Sequence, residues 1–264
     1  MQPNTNFGSH LRKLRKGNGF SQQRFAELAQ MSYRHVNFLE NSRSMPSREM
    51  VLKIANALEL SLKNANVLLR SAGFAPSYES TPLDDESMAF AKTALNRIME
   101  HQNPYPGIVM TPIGGLLMAN SAVFNVMGRF VPLETLQRIT NIYEFFLTND
   151  TIKTSFVNWD QLAPRILRLI RQEVFEIDTM SEPLVLLKKL EEETGINSAS
   201  IDEAAISDSP IFNMHFRSGE LELRFFSTYT TFGTPYDVAL QEMRIECFYP
   251  ADQKTIEFCQ EVSS

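Results

Sequence analysis

Cysteine is almost absent from this chain of 264 residues, with Cys247 and Cys259 the only two. That number cannot build a disulfide scaffold, and neither thiol has metal-ligand partners nearby, so a reduced cytoplasm is the expected home. Histidine is also sparse. His10 and His35 lie in a basic N-terminal stretch, while His101 and His215 stand alone without a nucleophile or a metal spacing. Glycine supplies no phosphate loop either, because Gly17-Asn18-Gly19-Phe20 falls between two helices rather than after a strand. No apolar run approaches the roughly 18 residues of a membrane span. The opening residues, Met1-Gln2-Pro3-Asn4-Thr5-Asn6, are polar and lack the apolar core of a signal peptide. Repeats, heptad runs and low-complexity tracts are missing as well. No catalytic residue, metal site, cofactor or membrane partner is therefore expected, and the chain does not read as an enzyme. Glu191-Glu192-Glu193 reads as a solvated helix face rather than an acid pair.

What is present is a charge split. Residues 1–74 carry 11 Lys and Arg against 4 Asp and Glu, a net +7. The remainder carries 14 against 27, a net −13 within the chain's −6. A basic head on an acidic body suits a polyanion-binding module joined to a second domain held off the polyanion. The length fits about two domains, and 43% hydrophobic residues are enough for ordinary cores.

In the head, Phe7, Leu11 and Leu14 give one helix over about 7–15 an apolar stripe. Gly17 and Gly19 end it. Ser21 is placed to cap a second helix with Phe25, Leu28 and Ala29 inward, and Ser32 to cap a third with Val36 and Leu39 inward. A fourth helix runs over 47–58 and a fifth over about 62–71, ending at Gly73. Helices two and three read as a helix-turn-helix, whose second helix enters the major groove. Arg34 can fork to guanine, Asn37 can pair with adenine, and Tyr33 can pack on a thymine methyl or bind phosphate. Gln22 and Gln23 open helix two beside backbone amides that hold phosphate, Ser32 opens helix three, and Arg43 is placed for a flanking phosphate. The DNA-binding set is thus Gln22, Gln23, Ser32, Tyr33, Arg34, Asn37 and Arg43.

Leu11-Arg12-x-x-Arg15, Ser21-Gln22, Leu28-Ala29, Val36, Leu39-Glu40, Arg43 and Pro46-Ser47 resemble the Cro/repressor-like (XRE) helix-turn-helix proteins over residues 7–72. The resemblance implies a five-helix DNA-binding domain. Ser42 stands where that family usually has Gly. If it is left-handed the cost is on the order of 1 kcal/mol, unless Asn41 takes up the turn.

Ser71-Ala72-Gly73-Phe74-Ala75-Pro76-Ser77-Tyr78 leaves the head through Gly and Pro. The aromatics Phe74 and Tyr78 suggest a docked strap. Domains are expected at 1–73 and 84–264, with 74–83 as junction. Asp84 or Asp85 should cap a helix to about His101. Gly107 to Thr111 and Leu116 to Ala119 read as a hairpin, with Asn120 capping a short helix. Residues 140–193 look helical, the clearest helix spanning Asp160 to Phe175. There Leu162, Ile166, Leu169 and Ile170 oppose Arg165, Arg168 and Gln172. Three strands follow, over 211–217, 220–231 and 243–249, with a turn at Phe232-Gly233-Thr234-Pro235 and a final helix over 251–262.

Two strands, helices, then three strands is the order of a PAS-like sensor. Several motifs resemble the C-terminal domain of MmyB-like transcription regulators over residues 71–255. They are Ala72-Gly73-Phe74-Ala75-Pro76, His101-x-x-Pro104-Tyr105-Pro106, Ala119-Asn120, Val157-Asn158-Trp159, Phe226-Ser227-Thr228 through Pro235, and Arg244-x-Glu246-x-Phe248-x-Pro250-Ala251-Asp252. The fold expected is α+β, an all-α five-helix head before a PAS-like domain with a five-stranded antiparallel sheet. The resemblance implies a ligand-binding domain without naming the ligand. Candidate ligand residues are Tyr105, Asn120, Trp159, Arg165, Phe226 and Tyr229. Strand 225–232 is the preferred pocket wall, since it alternates apolar surface with hydroxyls. Trp159 could instead anchor its helix, and Arg165 and Arg168 could instead form a solvated face.

The function this implies is a cytoplasmic, sequence-specific regulator binding double-stranded DNA as a homodimer. Its effector would be small and partly apolar, a fatty-acid-like or other amphiphilic metabolite. The alternative is a DNA-binding protein whose second domain only dimerises or docks a protein partner.

Overall fold

A computed structural model describes residues 5–174, 181–197, 211–233 and 235–263. The chain divides into two compact units. One holds residues 5–81 together with 235–241, and the other holds most of the remainder.

The first unit contains α1 (Thr5–Gly17), α2 (Gln22–Leu28), α3 (Tyr33–Glu40), α4 (Arg48–Ala57) and α5 (Leu62–Ser71). Serines at 21, 32, 47 and 61 each accept a backbone N–H three residues on, satisfying an otherwise orphan donor of the first turn. Phe7, Leu11, Phe25, Val36, Leu39, Ile54, Leu68 and Leu69 are buried in one cluster. The end of α3 is settled by Ser42, whose φ is +54°. Arg43 N donates to Phe38 O at 2.8 Å and Ser42 N to Leu39 O at 3.1 Å, the paired bonds of a left-handed C-terminal cap. Gln30 and Glu59 end α2 and α4 in the same way, without glycine.

The strap after α5 is pinned, as its aromatics suggest. Buried Asn66 accepts from Ser77 N and Tyr78 N and donates to Tyr78 O. Phe74 and Tyr78 pack against the cluster. Residues 235–241 belong to this unit through three hydrogen-bonded points. Asp237 accepts from Thr81 N at 3.1 Å and Thr81 Oγ1 at 2.7 Å, Val238 N donates to Glu79 O at 2.8 Å, and Gln241 accepts from Leu62 N at 2.7 Å.

The second unit opens with a short 3-10 turn over Glu86–Met88, capped by Asp85, then α6 (Ala89–Gln102). Next come β1 (Gly107–Met110), β2 (Leu116–Ala119), α7 (Ser121–Met127), α8 (Leu133–Leu136), α9 (Ile142–Thr148) and α10 (Asp150–Ser155). They are followed by α11 (Trp159–Gln172), α12 (Glu182–Thr194), β3 (Met214–Ser218), β4 (Leu221–Thr230), β5 (Arg244–Pro250) and α14 (Gln253–Glu261), while α13 (Val238–Glu242), between β4 and β5, counts with the first unit up to Gln241. The five strands form one antiparallel sheet in the order β2-β1-β5-β4-β3. The fold is therefore α+β, and a sheet with its helices inserted between the second and third strands is what the PAS-like resemblance implies. Helix α11 ends at Gln172, short of the expected Phe175, which lies outside the described residues, as does Thr234 of the expected turn.

Strand β5 is central, flanked by β1 and β4. Period-two alternation puts Arg244, Glu246 and Phe248 on one face. Across the ladder from β5, Glu246 opposes Ile108 on one side and Tyr229 on the other. This face meets an aromatic cluster in which Phe130, Phe146, Phe156, Phe216 and Phe225 have ring centroids 4.6–6.5 Å apart. Among the described residues no helix is long and apolar enough to cross a membrane.

Candidate functional site

Helix α3 presents Tyr33 and Arg34 to solvent at its N-terminal turn, with Tyr33 56% exposed. The Arg34 guanidinium lies 5.1 Å from the centre of the Phe38 ring, one turn on. Ser32 is occupied as a cap, accepting from His35 N at 3.1 Å. Asn37 is part of a short amide chain, donating to Gln22 Oε1 at 3.5 Å and accepting from Asn41 Nδ2 at 3.2 Å. Gln23 and Arg43 are exposed. Tyr33, Arg34 and Asn37 thus share one face, with Gln22 beside them.

A buried ion pair lies behind this face, and sequence reasoning gave it no role. Arg15 Nε on α1 donates to Glu40 Oε1 at 2.6 Å, Arg15 Nη2 to Oε2 at 3.1 Å, and Gln22 Nε2 to Oε2 at 2.7 Å. The Glu40 side chain is fully buried and that of Arg15 nearly so. Burial works to raise the Glu40 carboxyl. The hydrogen bonds from Arg15 and Gln22, with the guanidinium charges of Arg15 and Arg12, outweigh it and hold the group below the usual carboxylate range. One carboxylate thereby ties α1, α2 and α3 together and commits one Gln22 N–H that a phosphate contact would need. Leu11-Arg12-x-x-Arg15 and Leu39-Glu40 carried this signal, but nothing local pairs residues 25 positions apart.

In the second unit a cavity of about 490 Å³ lies between the sheet and two helices. Its floor is Met214, Ser227, Tyr229, Glu246 and Phe248, its walls Ile142, Tyr143 and Phe146 of α9, and Leu162, Arg165, Ile166 and Arg168 of α11. A smaller cavity of about 60 Å³, almost wholly apolar, shares Ile142, Phe146 and Phe248 with it. The larger volume is that of a small-molecule site, mostly apolar with a few convergent polar groups.

A family model described as the MmyB-like transcription regulator ligand binding domain matches residues 91–261, well over half the chain. The chain belongs to this family. A second model, described as helix-turn-helix, matches residues 11–63. No curated protein matches the chain. The protein is therefore a DNA-binding transcription regulator with a ligand-binding domain, and neither matched family is an enzyme family.

Within the MmyB-like domain, Arg165 and Tyr229 line the cavity and the other four candidate residues do other work. Asn120 is buried and saturated. It accepts from Gly107 N and Val123 N and donates to Met99 O and Tyr105 O. Tyr105 packs against the core and supplies that carbonyl. Trp159 anchors its helix, its indole N–H donating to Phe146 O at 3.0 Å. Phe226 stacks on Tyr249 at 5.5 Å on the sheet face away from the cavity, because β4 alternates and Ser227 and Tyr229 take the cavity side. Asn158, at the N-cap position of α11, makes no side-chain cap bond. It bridges to β3, donating to Asn213 O and accepting from His215 N. The α11 face that amphipathicity reads as solvated carries Arg165, Arg168 and Gln172 into the cavity wall.

At the polar end of the MmyB-like cavity, beside Ser227 and Tyr229 of the strand expected as its wall, lie Glu246 and Tyr143, to which sequence reasoning gave no role. Glu246 is only 7% exposed, and its Oε1 accepts from Ser227 Oγ at 2.6 Å. Burial pushes its carboxyl up to about 7, while the Ser227 and Tyr229 hydroxyls and the Arg244 charge pull the other way. Tyr143, 4% exposed, is pushed up to about 12 by burial and by the Glu246 charge. Tyr229 is 45% exposed as a whole, but its hydroxyl end is buried and is raised by that burial and by the Glu246 charge. Arg244 is itself paired with Glu173.

Proposed function

We propose that this regulator binds an operator as a homodimer and that a small, partly apolar effector in the MmyB-like cavity modulates the binding. The basic recognition face takes the phosphates and one half-site, with Arg34 and Asn37 on bases and Gln22, Gln23, Tyr33 and Arg43 positioning the duplex. Two such heads would read half-sites about 34 Å apart, one helical turn. The cytoplasm is the proposed compartment.

The observation that carries the modulation is the path of the chain between β4 and β5. Tyr229 near the end of β4 and Glu246 near the start of β5 both line the cavity. The connection between them contributes residues 235–241 to the compact unit that holds α1–α5, bonded to the strap and to the first turn of α5. A ligand that spreads or draws together β4 and β5 acts on that connection. Its leverage equals its differential affinity for the two arrangements.

The test is a metabolite panel screened by thermal shift, followed by fluorescence anisotropy on a duplex selected by the full-length protein. The reading predicts salt-dependent duplex binding, and compounds that both raise the melting temperature and change duplex affinity. Stabilising compounds that leave duplex affinity untouched would refute the modulation, and absence of duplex binding would refute the whole reading.

A further inference from the structure

Helix α6 and the turn before it have one side in the protein and one side in water. Met88, Ala91, Leu95 and Met99 are buried. On the opposite side, helical spacing lines up Glu86, Phe90, Thr93 with Ala94, Arg97 and His101 in a single stripe. Phe90 is 87% exposed, whereas the other described phenylalanines are buried or half-buried. Thr93 Oγ1 donates to Ala89 O at 2.8 Å, so its polar group is already satisfied within the helix. Glu86, Arg97 and His101 have no ion-pair partner among the described residues.

An exposed phenylalanine alone needs no explanation. The order of residues along its stripe is what points to an occupant. About a centre between Thr93 and Ala94, the half toward the N-terminus carries an aromatic ring and then an acid. The half toward the C-terminus carries a guanidinium and then a histidine. Two copies of the stripe laid antiparallel therefore complement each other, and two-fold symmetry makes each contact twice. Phe90 of one copy meets Arg97 of its partner, a cation over a ring face. Glu86 meets Arg97 and His101 of the partner, and small Thr93 and Ala94 at the centre let the two axes approach. A parallel pairing would instead set Arg97 on Arg97 and Glu86 on Glu86. The sheet offers no competing edge. Leu116 N of β2 donates to Thr140 O at 2.8 Å, and β3 is covered by Val157 N on His215 O at 2.8 Å and by Asn158.

We propose that the outer face of α6 is the contact through which two copies of this chain pair, antiparallel and two-fold symmetric. The assignment rests on the homodimer reading and supplies its interface. Two faces of one helix each bury less than the roughly 1,200 Å² at which specific stable interfaces begin, so the free dimer is weak and depends on concentration. Two half-sites on one duplex raise the effective concentration of the second copy and close the pair.

The test is sedimentation velocity of the full-length protein from low to high micromolar concentration, alone and on a selected two-half-site duplex. The natural protein should pass from monomer to dimer over that range. Phe90→Glu should weaken the dimer about tenfold or more, since both copies lose the buried ring. Arg97→Glu, which sets carboxylate against Glu86, should weaken it too, and the double variant Glu86→Arg with Arg97→Glu should recover most of the loss. All three positions lie on the exposed stripe, so folding is unaffected. A dimer insensitive to Phe90→Glu would overturn the α6 interface and leave the homodimer reading standing. A double variant no better than Arg97→Glu would overturn the antiparallel pairing. A natural protein that is monomeric throughout yet binds the duplex as two copies would also overturn the interface alone. One copy on the duplex would overturn the homodimer reading with it.

Discussion

At the scale of single residues, the recognition face makes the sharpest demand on Arg34. Its guanidinium rests near the Phe38 ring, a contact worth about 0.5–1 kcal/mol at an exposed site, so little holds it back from a base edge. Arg34→Ala is expected to cost about 1–3 kcal/mol on the selected duplex and to relax preference at one base pair. Equal loss on random duplexes, measured by anisotropy, would make it a phosphate contact only. Glu246 makes the opposite demand, on stability. Its folded carboxyl titrates at about 7, above the unfolded value near 4.3, so the native state holds the proton more tightly. The stability it contributes is complete below about pH 4.3 and is lost as pH rises through about 7. Free of ligand, the protein should therefore lose on the order of 3 kcal/mol from this group between those limits. Glu246→Gln should melt higher than the natural protein at pH 8 and much the same at pH 5. A variant that melts lower at pH 8 would show that the charge is compensated in the free protein.

Among the elements, α1 and α3 pack more closely than their sequences suggest. A methyl group on Gly8 would lie 2.5 Å from Leu39 O and 3.0 Å from Glu40 O. Alanine ordinarily gains about 0.5–1 kcal/mol over glycine inside a helix. Gly8→Ala is nevertheless expected to lower the melting temperature, and duplex affinity with it, because α1 supports the end of the recognition helix. A higher melting temperature would contradict that packing. The head was legible because its signals are local: serine caps, apolar stripes at helical spacing and glycine breaks all lie within a turn of what they control. The strands were legible for the same reason, with Leu221-Glu222-Leu223-Arg224-Phe225 alternating as a half-solvated strand must. The cavity was not. Which face of β5 is interior depends on helices a hundred residues upstream, and Arg165 and Arg168 read as solvated until the sheet opposite them is known. Asn120 and Phe226 looked like ligand contacts by residue type, yet their backbone partners and strand parity direct them elsewhere.

At the scale of the whole molecule, the charge split and the two matched families agree on a basic DNA-binding head and an acidic ligand-binding body. The chain crosses between them more than once, since residues 235–241, from between two cavity-lining strands, count with the head. On the proposed reading, that routing would link an effector to α5 through the chain after β4 and the hydrogen bond from Leu62 N to Gln241. Coupling between two sites of this kind is typically worth about 1–3 kcal/mol. The most direct measurement is the dissociation constant of the full-length protein for its selected duplex, with and without a saturating concentration of a compound that raises its melting temperature. The account predicts a change of roughly 5–150-fold in either direction. An unchanged constant at saturation would contradict it.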